Sequence, residues 1–394
     1  MTPLEIRMDI DKRSRLGFFT MMRQENVLFA GPVLVDKLIH EFLASEKNKV
    51  DPAMNVQQLS KKYGATICDI TYIAIPLSRI PDVKDPTARL PPSQHPRISS
   101  SLLLATSAAK DTMATLQILS AHLLSIEYDM PQARDIARHF SMADINKSMA
   151  MMEQLAKEGD THCMTMQGRF LEREGRKGEA KALYRKALET EKMKFDNRWP
   201  HPMALPWIPS WRALADLLLS EKNPTPEARA EAIAALKRGA FEADDPLACY
   251  QLASLEDDGS PMWLHCMSKA AASGHLEATY RLGHFYMNVN AEPEPFLKNS
   301  KFRAALKFTT SFKRGSIEKL AREWFEVAAS GGHKAAMREL VALYDDYGER
   351  DTATEWLRRI TDPPPAGSKE EWPRLVEQAK TTLAARKLAG AKAS

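Results

Sequence analysis

Apolar residues along most of this chain recur at the three-to-four spacing of amphipathic helices. Val35, Leu38, Ile39 and Phe42 fall at i, i+3, i+4 and i+7, which puts all four on one helix face. Residues 55–63 continue the pattern, and Gly64 follows in the position of a helix C-cap. Residues 65–75 are rich in Ile and Thr and have no helical period, so they read as a strand or as a helix buried on every side. Pro76, Pro81, Pro86, Pro91, Pro92 and Pro96 then exclude a regular helix over 76–97 and mark 76–98 as a linker. Helical spacing resumes over Ser99–Ser125, with Met113, Leu116, Leu119 and Leu123 in register.

From about residue 142 a second regularity is superimposed on the first. Gly159 leads to Cys163, Gly168 and Leu171, and Ala180, Tyr184 and Ala187 follow on the next predicted helix. Small residues at such positions let two antiparallel helices approach closely, and the aromatic fills the gap between neighbouring pairs. Ser210–Leu219 with Ala228–Phe241 forms a second predicted pair. Ala248 and Leu252 with Trp263, Met267 and Ala270 form a third. A short motif then appears twice. It reads Ala270-Ala271-Ala272-Ser273-Gly274-His275, followed by Ala278, Leu282, Gly283 and Tyr286. It returns as Ala328-Ala329-Ser330-Gly331-Gly332-His333, followed by Ala336, Leu340 and Tyr344. The helix carrying Ala321, Phe325 and Ala328 pairs with the first copy, and Ala353, Leu357 and Ile360 pair with the second. Gly168 to Ala180 spans 12 residues, but Gly283 to Ala321 spans 38, so 26 extra residues intrude at about 288–316. Pro363, Pro364 and Pro365 stop the last pair, and a helix near 369–388 is expected to cap it.

The expected organisation is therefore an N-terminal helical segment (1–75), a Pro-rich linker (76–98), helical repeats (99–362) and a C-terminal capping helix with a basic tail (363–394). The register of Gly168, Ala180, Tyr184 and Ala187 resembles the tetratricopeptide repeat superfamily, and the Ala-Ala-x-x-Gly-His form resembles its Sel1-like branch, over about residues 145–362. Two features depart from that pattern: Trp263 stands where Ala is usual, and unit lengths run from about 30 to 58 residues. The resemblance implies an all-α fold, an irregular right-handed α-solenoid of antiparallel helix pairs. It also implies a non-enzymatic scaffold, adaptor or assembly factor that binds partner proteins on a concave surface. It brings no catalytic residue and no cofactor.

Composition changes this picture little. The chain has 394 residues, 44% hydrophobic and 27% charged, an ordinary globular balance. The net charge of +4 equals that of residues 378–394, where Lys380, Arg386, Lys387 and Lys392 meet no acid, so the body of the protein is neutral. That argues against nucleic-acid binding by the whole molecule. Cys68, Cys163, Cys249 and Cys266 lack disulfide-scaffold spacing, which suggests a reducing compartment. No apolar run approaches the roughly 18 residues that span a bilayer. Acids at Glu5, Asp9 and Asp11 among the first basic residues fit neither a secretory signal nor a transit peptide. A soluble intracellular protein is expected, with cytoplasm and mitochondrial matrix not distinguished.

Three stretches carry candidate chemistry. Trp199, Trp207 and Trp211 stand among four prolines within 13 residues. They are either a rigid aromatic hook for a partner or a loop that seals its own groove, and the second is the preferred expectation. Lys298, Lys301, Arg303, Lys307, Lys313 and Arg314 occupy the insertion with Phe302, Phe308 and Phe312 and no acid. Cations and interleaved aromatics suit single-stranded RNA, as in a helical-repeat factor of organellar gene expression, or an anionic membrane surface. A solvated excursion whose phenylalanines dock on the repeats is the preferred reading. Residues 239–268 hold six acids and no Lys or Arg, which reads as a rim that steers a partner or, preferably, as solvated surface. His162-Cys163 and His265-Cys266 are adjacent pairs without metal-ligand spacing, so no metal site is expected. His275 and His333 lie in repeat turns and are read as structural, bonding the preceding helix end. The methionines at 142, 149, 151, 152, 164 and 166 are read as core filler.

Overall fold

A computed structural model describes residues 2–28, 30–83, 90–128, 130–192, 201–294, 298, 300, 303, 304, 307, 315–364 and 369–393. Every regular element among these residues is an α-helix, and most helices adjacent in sequence within a unit pack on one another. The chain divides into two compact units, residues 1–222 and 223–394. The expected pair Ser210–Leu219 and Ala228–Phe241 is thereby split between them.

Unit one holds α1 (Pro3–Gln24), α2 (Pro32–Lys47), α3 (Pro52–Tyr63), α4 (Ile67–Leu77), α5 (His95–Ala108) and α6 (Thr112–Glu127). It continues with α7 (Pro131–Ala137), α8 (Met142–Glu158), α9 (Thr161–Arg173), α10 (Lys177–Thr190) and α11 (Ser210–Leu219). One hydrophobic core runs through it from Phe19 to Leu205. Val35, Leu38, Ile39 and Phe42 are the buried face of α2, and Gly64 caps α3 with φ +63°. The ambiguous stretch 65–75 is helical. Every residue from Ile70 to Leu77 is buried, so α4 lacks a polar face and hence a period. Ser99–Ser125 is two helices, not one. Lys110 takes φ +68°, and the buried Asp111 side chain accepts the Ala114 N–H at 2.8 Å to start α6.

The proline-rich stretch is tied down wherever it is described. Pro96 lies in the first turn of α5, where its missing N–H costs nothing. Arg7 of α1, 2% exposed, donates through Nε to Pro91 O (2.7 Å) and through Nη1 to Val83 O (3.2 Å). It also pairs with Asp82 (3.0 Å) and Asp11 (3.3 Å). Asp11 in turn accepts the Gln94 N–H at 2.9 Å. A buried guanidinium needs this many acceptors to offset its desolvation. The result is a strap clamped onto α1.

Helices pack largely in sequence, and a second set of contacts skips one or two elements. α4 packs on α6, α6 on α9 and α9 on α11, forming one row. α3 packs on α5 and α5 on α8, forming another. Close approach within the α9–α10 pair depends on Gly168. A Cβ there would lie 2.3 Å from Tyr184 Cε1, and the Tyr184 ring is fully buried.

Unit two holds α12 (Pro226–Phe241), α13 (Pro246–Ala253), α14 (Pro261–Ala272), α15 (Leu276–Ala291), α16 (Ser316–Ser330), α17 (Lys334–Asp346), α18 (Arg350–Ile360) and α19 (Pro373–Ala393). Each packs on the next. Gly283 plays the part of Gly168, since a Cβ there would meet Phe325 Cε1 at 2.5 Å. Trp263 is 1% exposed and lies 5.1 Å from the Phe285 ring, so the bulky exception to the repeat pattern is core. Leu375 and Ala379 of α19 join the core of α16–α18.

Candidate functional site

The row α4, α6 and α9 carries a non-helical segment, 201–209, that belongs to the same unit. Three contacts hold its main chain and its start. The Leu205 N–H donates to Gln117 Oε1 of α6 at 2.8 Å. Arg79, just past α4, reaches Met203 O at 3.5 Å. His201 sets its ring edge-on against Tyr72 of α4, with 4.9 Å between centroids. Leu205 is 1% exposed and belongs to the core, with Met203, Ala204 and Trp207 packed beside it. Farther along, the ring of His162 of α9 lies 6.1 Å from Trp207. A residual cavity of about 20 Å³ lies between Trp207, Pro206, Ser120, Leu123 and Met166.

The electrostatics of this groove follow from burial. His201 Nδ1 accepts the Met203 N–H at 3.0 Å, which leaves the proton on Nε2. That Nε2 is buried without a hydrogen-bond partner among the described residues. Burial holds the His201 pKa down at about 4, because the imidazolium would be charged and out of water. Arg79 is also shifted down by burial, with Asp135 opposing. Ser120 Oγ, on the floor of the groove, is a second buried polar atom without a partner among the described residues. Arg169 at the rim is engaged by Glu127 at 2.7 Å.

Of the three tryptophans weighed as an aromatic hook or a self-sealing loop, Trp207 is half-buried in the groove and Trp211 is 9% exposed at the start of α11. Trp199 lies outside the described residues. Trp207 packs against the core of unit one, and Trp211 is buried. Gln117, Leu205, His201 and Arg79 were not anticipated. One signal existed: Gln117 is a solitary amide between Leu116 and Ile118 on a helix otherwise built for a core.

In the insertion, Lys298, Arg303 and Lys307 are exposed. Lys301, Lys313 and Arg314, with Phe302, Phe308 and Phe312, lie outside the described residues. Three of the six acids of 239–268 are met by cations of their own unit: Asp258 by Arg281 at 2.8 Å, Glu242 by Arg238 at 3.3 Å, and Asp244 by Lys269. No group of metal-ligating side chains occurs among the described residues.

The repeat histidines use both ends of the residue. Their backbone N–H groups bond the preceding helix, to Ala270 O at 3.1 Å and Ala328 O at 3.0 Å. Their side chains instead open the following helix, with Nδ1 accepting from Ala278 N and Ala336 N at 3.2 Å. Each ring also stacks on a tyrosine of an earlier helix, His275 on Tyr250 (4.0 Å) and His333 on Tyr280 (4.5 Å). His333 Nε2 further contacts Glu277 Oε2 at 3.0 Å.

No family model matches the chain, and no curated protein matches it.

Proposed function

We propose that the protein is a non-enzymatic helical-repeat scaffold, of the tetratricopeptide and Sel1-like kind, that binds non-helical segments of partner proteins across the row α4–α6–α9. The observation that supports this is the bond from the Leu205 N–H to Gln117 beneath a buried Leu205 side chain. A side-chain amide that pins a main chain, next to a pocket that takes an aliphatic side chain, reads shape and spacing without requiring a unique partner sequence. In this reading residues 201–209 occupy the groove as an internal ligand. The four cysteines, none of them in a disulfide, support a reducing compartment within the cell.

A synthetic peptide of residues 201–209 tests the proposal. It should bind saturably to a full-length Leu205→Asp variant, whose own segment is expelled, and poorly to the unmodified protein. Gln117→Ala in the Leu205→Asp background should weaken that binding by about 1 kcal/mol, the worth of one hydrogen bond. A Leu205→Asp protein that stays folded and takes up no peptide would defeat the proposal. A second reading, RNA binding through the insertion, is favoured by the exposure of Lys298, Arg303 and Lys307. It requires affinity that falls steeply with salt. Peptide uptake insensitive to salt, with no RNA recovered by crosslinking, decides against it.

A further inference from the structure

We propose, resting on the reading of residues 201–209 as an internal ligand, that the groove selects partner segments carrying an aliphatic residue and, two positions later, an uncharged side-chain amide that bonds Ser120 Oγ. Ser120 stands three residues after Gln117 on α6, so the two lie one turn apart on the same side of the helix. Gln117 holds the main chain at Leu205. Ser120 lines the cavity of about 20 Å³ together with Pro206, Trp207 and Ile208. One turn of α6 is thus matched by two residues of the segment, from Leu205 to Trp207.

Ser120 is set apart from other hydroxyls of its helix. Thr115 and Ser125 turn theirs back to main-chain carbonyls, Asp111 O at 2.9 Å and His122 O at 2.8 Å. Ser120 is 2% exposed, and its Oγ has no hydrogen-bond partner among the described residues. A hydroxyl buried and left unpaired has lost its hydration with nothing in return. The void beside it is of water size, but the walls made by Leu123, Leu124 and Met166 give a water few of the partners that would hold it. The internal segment fits imperfectly elsewhere as well. His201 Nε2 is buried without a partner among the described residues, and the Arg79 contact to Met203 O, at 3.5 Å, is long for a hydrogen bond. Each mismatch lowers the affinity that a competing segment has to beat.

The walls also define the missing group. With the indole in place the void is too small for a second side chain, so the group must come where Trp207 now sits. Ser120 Oγ can donate or accept, and an amide meets it in either sense. A carboxylate is disfavoured, because Arg169, which lines the cavity, is already engaged by Glu127 at 2.7 Å. An ammonium finds Glu127 taken in the same way, and an unpaired charge loses far more on burial than an amide does.

A cycle of two proteins and two peptides tests this by calorimetry. The proteins are the full-length Leu205→Asp variant with Ser120 and with Ser120→Ala. The peptides are residues 201–209, unmodified and with Trp207→Gln. Ser120→Ala should weaken binding of the Gln peptide about tenfold. It should leave the unmodified peptide unchanged or bound more tightly, since alanine removes an unpaired hydroxyl. Comparing the two ratios cancels the indole burial that the Gln peptide gives up. The same effect of Ser120→Ala on both peptides would overturn the proposal and leave the internal-ligand reading intact. Failure of either peptide to bind a folded Leu205→Asp protein would remove both. Should Leu205→Asp not fold, the cycle is run within the chain. In Trp207→Gln protein, Ser120→Ala should speed exchange of the Leu205 amide about tenfold, and in otherwise unmodified protein it should not. Equal exchange rates with and without Ser120 in the Trp207→Gln protein would refute the assignment.

Discussion

Leu205→Ala separates a removable internal ligand from an integral piece of core. Leu205 is 1% exposed, and truncation removes three buried carbons. Such changes cost about 2–5 kcal/mol in well-packed cores, and the low end is expected where a non-helical segment relaxes into the space. A cost of about 3 kcal/mol raises the population of any state lacking this contact by roughly a hundredfold. If the segment is a ligand, that state is the segment alone swinging away from α4, α6 and α9. Native-state hydrogen exchange then reads the difference. The Leu205 amide, bonded to Gln117, and the Met203 amide, bonded to His201, should exchange roughly a hundredfold faster. Core amides of α5, such as Leu102 and Leu103, should hold their protection. Equal acceleration of the α5 amides would mean that segment and unit unfold together, and the idea of an internal ligand would then fail.

Other perturbations probe the supports of the site. Gly168→Ala places a Cβ 2.3 Å from the buried Tyr184 ring and should cost about 1–3 kcal/mol by chemical denaturation, with a Tyr184→Leu second change recovering part of the loss. Arg7→Met leaves the buried Asp11 carboxylate without its cation and should destabilise unit one by about 3–5 kcal/mol, where Asp11→Asn should cost clearly less. His201 is held neutral, so the stability it confers is complete above its ordinary pKa of 6.5 and is lost as pH falls through about 4. The loss should approach about 3 kcal/mol, read as the difference in the pH dependence of unfolding between wild type and His201→Leu, since burial also lowers His95, His122, His139 and His275. His333→Ala should cost about 1 kcal/mol through the lost cap on α17, and a thermal shift indistinguishable from zero would contradict the capping role.

The elements legible in the sequence are those whose signal is local. A helix with one wet face prints its period, as Val35 to Phe42 do for α2. A cap prints its own chemistry, as Gly64 does, because the backbone conformation at a helix end depends on a few neighbouring residues; the side chains of His275 and His333 were expected to bond the preceding helix and instead cap the following one. The small-residue register of Gly168 with Ala180, and of Gly283 with Ala321, was legible for the same reason, since steric closeness of two helices joined by a short turn needs small side chains at fixed offsets. What α4 would be was not legible, because a helix covered on all sides loses its polar face and with it the period. The break at Lys110 inside Ser99–Ser125 was missed because neither side of it changes in composition.

Long-range partners left almost no local trace. Arg7 reads as one of several basic residues near the N-terminus, yet its acceptors lie some eighty residues away in the proline-rich stretch. Gln117 and Leu205 are separated by 88 positions, and Cys249 and Lys269 come to one carbonyl only because α12, α13 and α14 pack. Helical period, capping and small-residue spacing act over a few turns, and they were enough to predict helices in closely approaching pairs. Long-range packing alone places residues 201–209 in a groove of their own unit and clamps the described part of the proline-rich stretch onto α1. Those facts depend on which distant faces share a core, and desolvation sets that over the whole unit, beyond the reach of any local pattern.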